Sequence, residues 1–253
     1  MTPIDANEIR LMEEVCQLAA RTLDHVKGFI KPGVTTNELD QIVYDYTLTH
    51  RAQPAPLNYK GFPKSICTSV NSCICHGVPN NVPLQVGDIL NVDVTSLKNG
   101  FFGDTSATFF VGQVSDKARK ITEVAEQAMY RGIDVVRPYG TTGDIGFAVN
   151  RYVTKKGYYP VRETGGHGIG KQFHSDPFVP SYGKKGRGEK LIPFTCITVE
   201  PMINETSAPI KELPIPNSSI KYYETGDGAL SAQFEHTILI TDRSYEILTS
   251  LEG

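Results

Sequence analysis

A near-repeat constrains this 253-residue chain more than any other feature. Pro32 matches Pro138, Thr35 matches Thr141 and Thr36 matches Thr142, all at one fixed offset. Val43/Val149 and Tyr46/Tyr152 continue the match, while Lys31/Arg137, Glu38/Asp144 and Leu39/Ile145 pair conservatively. The segments before them align too, Val15 with Ile121, Leu18 with Val124, Ala19 with Ala125 and Leu23 with Met129. Each copy reads as two helices. In the first, Ile9, Met12, Val15, Ala19, Leu23 and Val26 recur at helical spacing over 5–28. Gly33 interrupts the pattern, and Thr35-Thr36-Asn37-Glu38 supplies a capping box for a helix carrying Leu39, Ile42, Val43 and Tyr46. Amphipathic helices can match by chance, but a shared Pro-x-x-Thr-Thr makes chance the weaker account. The expectation is one domain over 1–253, built from similar halves of about 1–110 and 111–253, each with two helices and several strands. A chain of this length can bury a sizeable core.

Four segments alternate with the period of a strand. Over 89–96, Leu90, Val92 and Val94 fall on one face and Asn91, Asp93 and Thr95 on the other. Over 101–111, Asp104 shares a face with Phe102, Ser106 and Thr108. These two read as a hairpin around Leu97-Lys98-Asn99-Gly100. A turn centred near 98–99 sets Asp93 directly opposite Asp104, and like charges so placed are destabilising unless a cation lies between them. A third strand is expected over 230–241, with Ser231, Gln233, Glu235 and Thr237 on one face, and a fourth over 195–200, ending in Glu200-Pro201.

Asp93, Asp104, Glu200 and Glu235 thus sit in apolar strands, and His167 sits in Gly165-Gly166-His167-Gly168-Ile169-Gly170. Isolated buried carboxylates cost several kcal/mol each unless paired. Two divalent cations would cancel four negative charges. An oxygen-rich set with one imidazole suits Co, Mn or Fe, with Zn also acceptable, and two close metals point to hydrolysis by an activated water. Any one of these carboxylates alone would more often be an ordinary solvent-face residue. His76 and His174 are further neutral imidazoles able to donate to a carbonyl or pass a proton near pH 7.

Other chemistries fit less well. Cys75 beside His76 suggests a thiol nucleophile, but adjacent strand residues point to opposite faces. Cys73-x-Cys75-His76 lacks a second Cys/His pair for structural zinc. The glycine-rich stretch at 165–170 lacks the βαβ context of a dinucleotide fingerprint. A net charge of −3 gives no electrostatic case for nucleic acid or membrane as main partner; the lone basic run, Lys184-Lys185-Gly186-Arg187, reads as a solvated loop tip. No stretch approaches the ~18 apolar residues of a membrane span. The N-terminal segment lacks the basic and apolar regions of a signal peptide, and five cysteines, three of them clustered at 67, 73 and 75, read as reduced thiols. The expected setting is the cytoplasm.

With these motifs in view, the chain resembles the methionine aminopeptidases, type I, of the pita-bread metallopeptidases. The resemblance is carried by Tyr59-Lys60-Gly61-Phe62-Pro63-Lys64-Ser65, Cys67-Thr68-Ser69-Val70-Asn71, His76-Gly77-Val78-Pro79, Asp93-Val94, Gly103-Asp104, Gly165–Gly170, His174, Glu200-Pro201 and Leu230–Thr237, in the family's order. It implies an α/β (α+β) pita-bread fold of two pseudo-twofold-related halves, with antiparallel sheets covered by helices. It further implies that Asp104 and Glu235 bridge two divalent metals, that Asp93 chelates one, and that His167 and Glu200 bind the other. Glu200 would handle the proton of the water that attacks the scissile carbonyl, His174 would polarise that carbonyl, and His76 would contact the scissile amide. Tyr59, Phe62, Cys67 and Phe173 resemble the walls of the methionine pocket, and Asn71, Cys73 and Ser231 a monovalent-cation site. The implied substrates are nascent polypeptide N-termini with a small second residue, met near the ribosome exit by a monomer. Relatives often place a Trp over the pocket; this chain has none, and Tyr222 or Tyr223, in a 204–224 stretch longer than usual, is the expected substitute. The competing readings are a proline-specific peptidase of the aminopeptidase P or prolidase kind, and a non-catalytic pita-bread binding protein.

Overall fold

The structure is a computed structural model and describes residues 2–251. Two helices, α1 (Ala6–Lys27) and α2 (Thr36–Thr49), precede β1 (Gln53–Pro54), β2 (Cys67–Val70), β3 (Cys73–Cys75), β4 (Ile89–Lys98) and β5 (Phe101–Phe110). Helices α3 (Asp116–Ile133) and α4 (Thr142–Lys155) follow. The remaining strands are β6 (Tyr159–Pro160), β7 (Gly166–Ile169), β8 (Ser175–Val179), β9 (Thr195–Val199), β10 (Met202–Asn204), β11 (Ile210–Pro214), β12 (Lys221–Thr225), β13 (Ser231–Gln233), β14 (His236–Ile240) and β15 (Tyr245–Ile247).

Helix starts follow local chemistry. Asp5, Thr35 and Thr141 are N-caps, each in a reciprocal capping box with the third helical residue, Glu8, Glu38 and Asp144. The repeated Thr-Thr pairs therefore begin α2 and α4. The apolar faces then cover the sheets. Leu23 and Val26 of α1, with Leu39 and Val43 of α2, pack on Leu90, Val92 and Val94 of β4. Met129 and Ile133 of α3, with Ile145 of α4, pack on Ile197, Val199, Ile238 and Ile240. Burying a side chain of this size stabilises by roughly 1.5–3 kcal/mol.

The first sheet runs β1-β4-β2 with β5 also on β4; the largest runs β15-β14-β9-β7-β8. All pairings are antiparallel. The two sheets meet at a bridge between Ser106 and Glu235. Faces turned away from the helices meet across this seam, so their polar residues are buried as well.

The β4/β5 register corrects the expected turn. Lys98 pairs with Phe101, leaving Asn99-Gly100 as a two-residue turn with φ of 52° and 81°. Two successive left-handed residues match the twist of the strands, which is why Asn-Gly is favoured there. Asp93 consequently faces Ser106, and Asp104 faces Thr95. The two aspartates are diagonal neighbours rather than a directly opposed pair. Because the slip is two residues, both keep the expected face. The single strand expected over 230–241 is also two, β13 and β14, interrupted at Phe234-Glu235.

Candidate active site

A cavity of about 220 Å³ opens at the seam between the sheets. Asp93 and Asp104 reach it from β4 and β5, His167 from β7, Glu200 from just beyond β9, and Glu235 from the break between β13 and β14. Tyr59, Phe62, Cys67, His76, Phe173 and His174 line the same cavity. Sequence positions from 59 to 235 thus converge on one pocket with an acidic floor and an apolar wall. Asn71, Cys73 and Ser231 lie outside it; there the Ser231 N–H donates to the Asn71 carbonyl at 2.9 Å.

The floor groups side chains that could hold a metal ion. One potential ligand atom each of Asp104, His167 and Glu235 lies within 4.8 Å of the others. His167 Nε2 is 3.5 Å from Glu200 Oε1 and 3.8 Å from Asp104 Oδ2. The Asp93 carboxyl lines the same floor beside Asp104. His167 Nδ1 lies 3.1 Å from the Gly168 carbonyl. A carbonyl only accepts, so Nδ1 carries the proton and Nε2 presents a bare lone pair to the carboxylates, as metal-binding imidazoles do. Glu235 Oε1 is buried without a hydrogen-bond partner among the described residues, and such an oxygen calls for a cation or a proton. Thr95 Oγ1 donates to Asp104 at 2.7 Å, Thr198 Oγ1 to Glu200 at 2.8 Å, and Gln233 Nε2 to Glu200 at 3.2 Å, fixing each carboxylate.

Proton affinities follow from this crowding. Burial pushes Asp93 up to about 7 and Glu200 up to about 8. Asp104 and Glu235 are held well above the ordinary carboxylate range, by burial first and then by neighbouring carboxylates. Burial lowers His167 to about 4 and lowers His76 and His174 as well, so all three imidazoles are neutral at pH 7. Four acids unwilling to ionise together become willing once divalent charge is present.

Close packing explains the glycines around His167. A Cβ on Gly166 would come within 2.2 Å of the Thr198 carbonyl, and one on Gly168 within 2.3 Å of the Asp176 carbonyl. Neither has a positive φ, so close approach rather than a strained turn requires glycine.

His76 follows β3 in a left-handed conformation, φ 57°, and this, not strand alternation, separates its direction from that of buried Cys75. Its Nδ1 is 2.9 Å from the Lys221 carbonyl, so Nδ1 donates and Nε2 is free to accept. The His174 ring stands 4.2 Å from the rings of His167 and Phe173, and its Nδ1 is 3.1 Å from Tyr59 Oη.

The 204–224 stretch is a hairpin, β11 and β12, which extends β3. Its tip docks on the Tyr59–Gly61 turn, where Ser218 Oγ and Ser219 N both donate to the Lys60 carbonyl, at 2.9 and 3.0 Å. Ile215 packs on Phe62 and Cys67, and Ile220 lines the cavity. Ile220, absent from the sequence expectation, lines the cavity, whereas Tyr222 and Tyr223 do not. Tyr223 instead pairs with Cys75, and Tyr222 packs behind the wall.

The model of metallopeptidase family M24 matches residues 10–242. The chain belongs to metallopeptidase family M24. It is 46% identical over 238 residues to the methionine aminopeptidase of Rickettsia prowazekii, covering 94% of this chain and 91% of that one. Methionine aminopeptidase A of Synechocystis is 47% identical over 250 residues, 98% and 97% of the two chains. The crystal structure of the Rickettsia prowazekii methionine aminopeptidase superposes with a TM-score of 0.95 at 44% identity, covering 99% of this chain and 100% of that one. The prolidase of Pyrococcus horikoshii shares the fold, with a TM-score of 0.75 at 22% identity, and this chain covers 64% of it. The architecture is the pita-bread fold of these metallopeptidases.

Proposed function

We propose that this chain is an aminopeptidase that removes an N-terminal methionine when the second residue is small. The carrying observation is one cavity in which an apolar wall of Tyr59, Phe62, Cys67, Phe173 and Ile220 adjoins the carboxylate floor. An unbranched side chain fits between aromatic rings, and thioether sulfur packs well on them. A free α-amine beside Asp93 meets negative charge, which favours an exopeptidase.

Asp93, Asp104, His167, Glu200 and Glu235 would hold two divalent ions, Co, Mn, Fe or Zn. Such ions would supply Lewis acidity toward the scissile carbonyl and lower the pKa of a water. Glu200, ionised once divalent charge is present, would accept and return the proton of the attacking water. His76 Nε2 faces the leaving amide as an acceptor, pinned by the Lys221 carbonyl at 2.9 Å. If Tyr59 Oη donates to His174 Nδ1, His174 Nε2–H is left to donate to the carbonyl oxygen. A monovalent cation at Asn71, Cys73 and Ser231 belongs to the same reading, supported by the Ser231-to-Asn71 contact. So does a monomer working on nascent chains in the cytoplasm; no helix among the described residues is long and apolar enough to cross a membrane.

A peptide series Met-X-Ser, with X from Gly to Leu, tests this. Fast cleavage is expected for Gly, Ala, Ser, Thr, Pro, Val and Cys, little for Leu, and none for an N-acetylated control. Norleucine should replace methionine, and leucine should not. Equal rates for Met-Ala-Ser and Met-Leu-Ser would defeat the reading, as would preference for Ala-Pro peptides.

A further inference from the structure

His236 follows Glu235, yet its ring turns the other way, into a second cavity of about 250 Å³ between α1, α3 and the C-terminal segment. Thr105 and Ser106 also line it, so it lies behind the strands that carry Asp104 and Glu235. Strand β15 stops at Ile247, opposite Ile238, and so leaves His236 and Thr237, which pair with β9 on one edge, without a ladder partner on the other. The chain beyond β15 supplies one. The Leu248 N–H donates to the Thr237 carbonyl at 2.9 Å. The next rung is made by a side chain, with the Thr237 N–H donating to Thr249 Oγ1 at 3.1 Å. The same hydroxyl lies 2.8 Å from His236 Nδ1, and His236 Nε2 lies 3.4 Å from Tyr130 Oη.

These bonds reach the backbone of Asp104, and a separate one holds the backbone of Glu235. Thr237 Oγ1 donates to the Asp104 carbonyl at 2.8 Å and accepts from the Asp104 N–H at 3.3 Å. Thr105 Oγ1 donates to the Glu235 carbonyl at 2.9 Å. Thr237 and Thr249 are 0% and 3% exposed, so water cannot replace these bonds. Glu235 stands in the gap between β13 and β14, held on one side by its backbone bridge to Ser106 and continuing on the other into His236 and Thr237.

We infer that Thr249 is a positioning residue for Asp104 and Glu235, acting through Thr237 and the start of β14. The inference rests on the proposed metal site. A hydroxyl that ties the start of β14 to the C-terminal segment fixes where the Thr237 side chain meets the Asp104 backbone. Thr249→Val keeps the shape and removes both hydrogen bonds, while Thr249→Ser keeps them.

The test is calorimetric titration of Co²⁺ into the metal-stripped full chain, with kcat and KM for Met-Ala-Ser measured at saturating Co²⁺. Thr249→Val should bind Co²⁺ more weakly than the wild type and lose kcat with KM unchanged, and Thr249→Ser should restore wild-type affinity. A merely structural threonine would lower the melting temperature of the stripped Val variant and leave Co²⁺ affinity alone; that result overturns the inference. Should Thr249→Val fail to fold, Thr249→Cys, which weakens both bonds at similar volume, carries the same comparison. Wild-type protein that took up no Co²⁺ would overturn the metal site and this inference together.

Discussion

His76 and His167 share one device. In each, Nδ1 donates to a backbone carbonyl, at 2.9 Å and 3.1 Å, so an unprotonated Nε2 is turned away from that carbonyl. Their surroundings separate the roles. His167 Nε2 sits among carboxylates, whereas His76 is pinned by the hairpin over the apolar wall. His76→Ala is therefore expected to lower kcat while the purified protein keeps its metal, measured by elemental analysis after dialysis. Loss of metal from that variant would mean the two histidines have been confused. Glu200→Gln keeps the Thr198 contact but removes the proton acceptor, and kcat at saturating metal should fall by about 10²–10⁴. A smaller drop would put the proton elsewhere. At this scale the sequence was most readable. Asp93, Asp104, His167, Glu200 and Glu235 each stood out as charge in an apolar or glycine-rich setting, and all reach one cavity. Thr95, Thr198 and Gln233, which orient the carboxylates, carried no such signal, because a hydroxyl or amide in a strand is unremarkable until its neighbour is known.

Elements divide by what sets them. The capping boxes at Thr35 and Thr141 are local, and both were legible. The β4/β5 register is equally local, since Asn99-Gly100 dictates a two-residue turn; centring the turn one position early produced the false opposed pair. A Cβ on Gly100 would meet nothing within 4 Å, so Gly100→Ala should cost only the left-handed backbone penalty, roughly 1–2 kcal/mol by urea unfolding. Gly166→Ala contrasts with it. Its Cβ would lie 2.2 Å from the Thr198 carbonyl, forcing β7 from β9 and His167 from Glu200. That variant should lose metal as well as stability; retention of full metal content would show that the spacing of these strands does not matter. The β11/β12 hairpin was the least readable element, because its contacts are with the Lys60 carbonyl and Phe62, more than a hundred residues away in the chain.

For the whole molecule, the buried charge couples metal, pH and stability. Asp93 and Glu200 titrate in the fold at about 7 and about 8, above the unfolded values near about 4. Asp104 and Glu235 are shifted the same way. A carboxyl that holds its proton more tightly when folded favours the fold below its unfolded pKa, and that contribution is lost as pH rises through the folded value. The site histidines act oppositely, because they are lowered, but only below their unfolded value of about 6.5. Above that pH the carboxyl effect stands alone. The metal-stripped protein should therefore melt at progressively lower temperature from pH 6.5 to 8.5. Divalent cations replace the same protons, so their affinity should rise over this window. Bound at 100 times its dissociation constant, an ion adds about 2.7 kcal/mol. Melting curves with EDTA and with Mn²⁺ should diverge as pH increases, with the gap widest at pH 8.5. Parallel curves across the window would mean that the carboxylates find their countercharge within the protein, and the two-metal site would have to be abandoned.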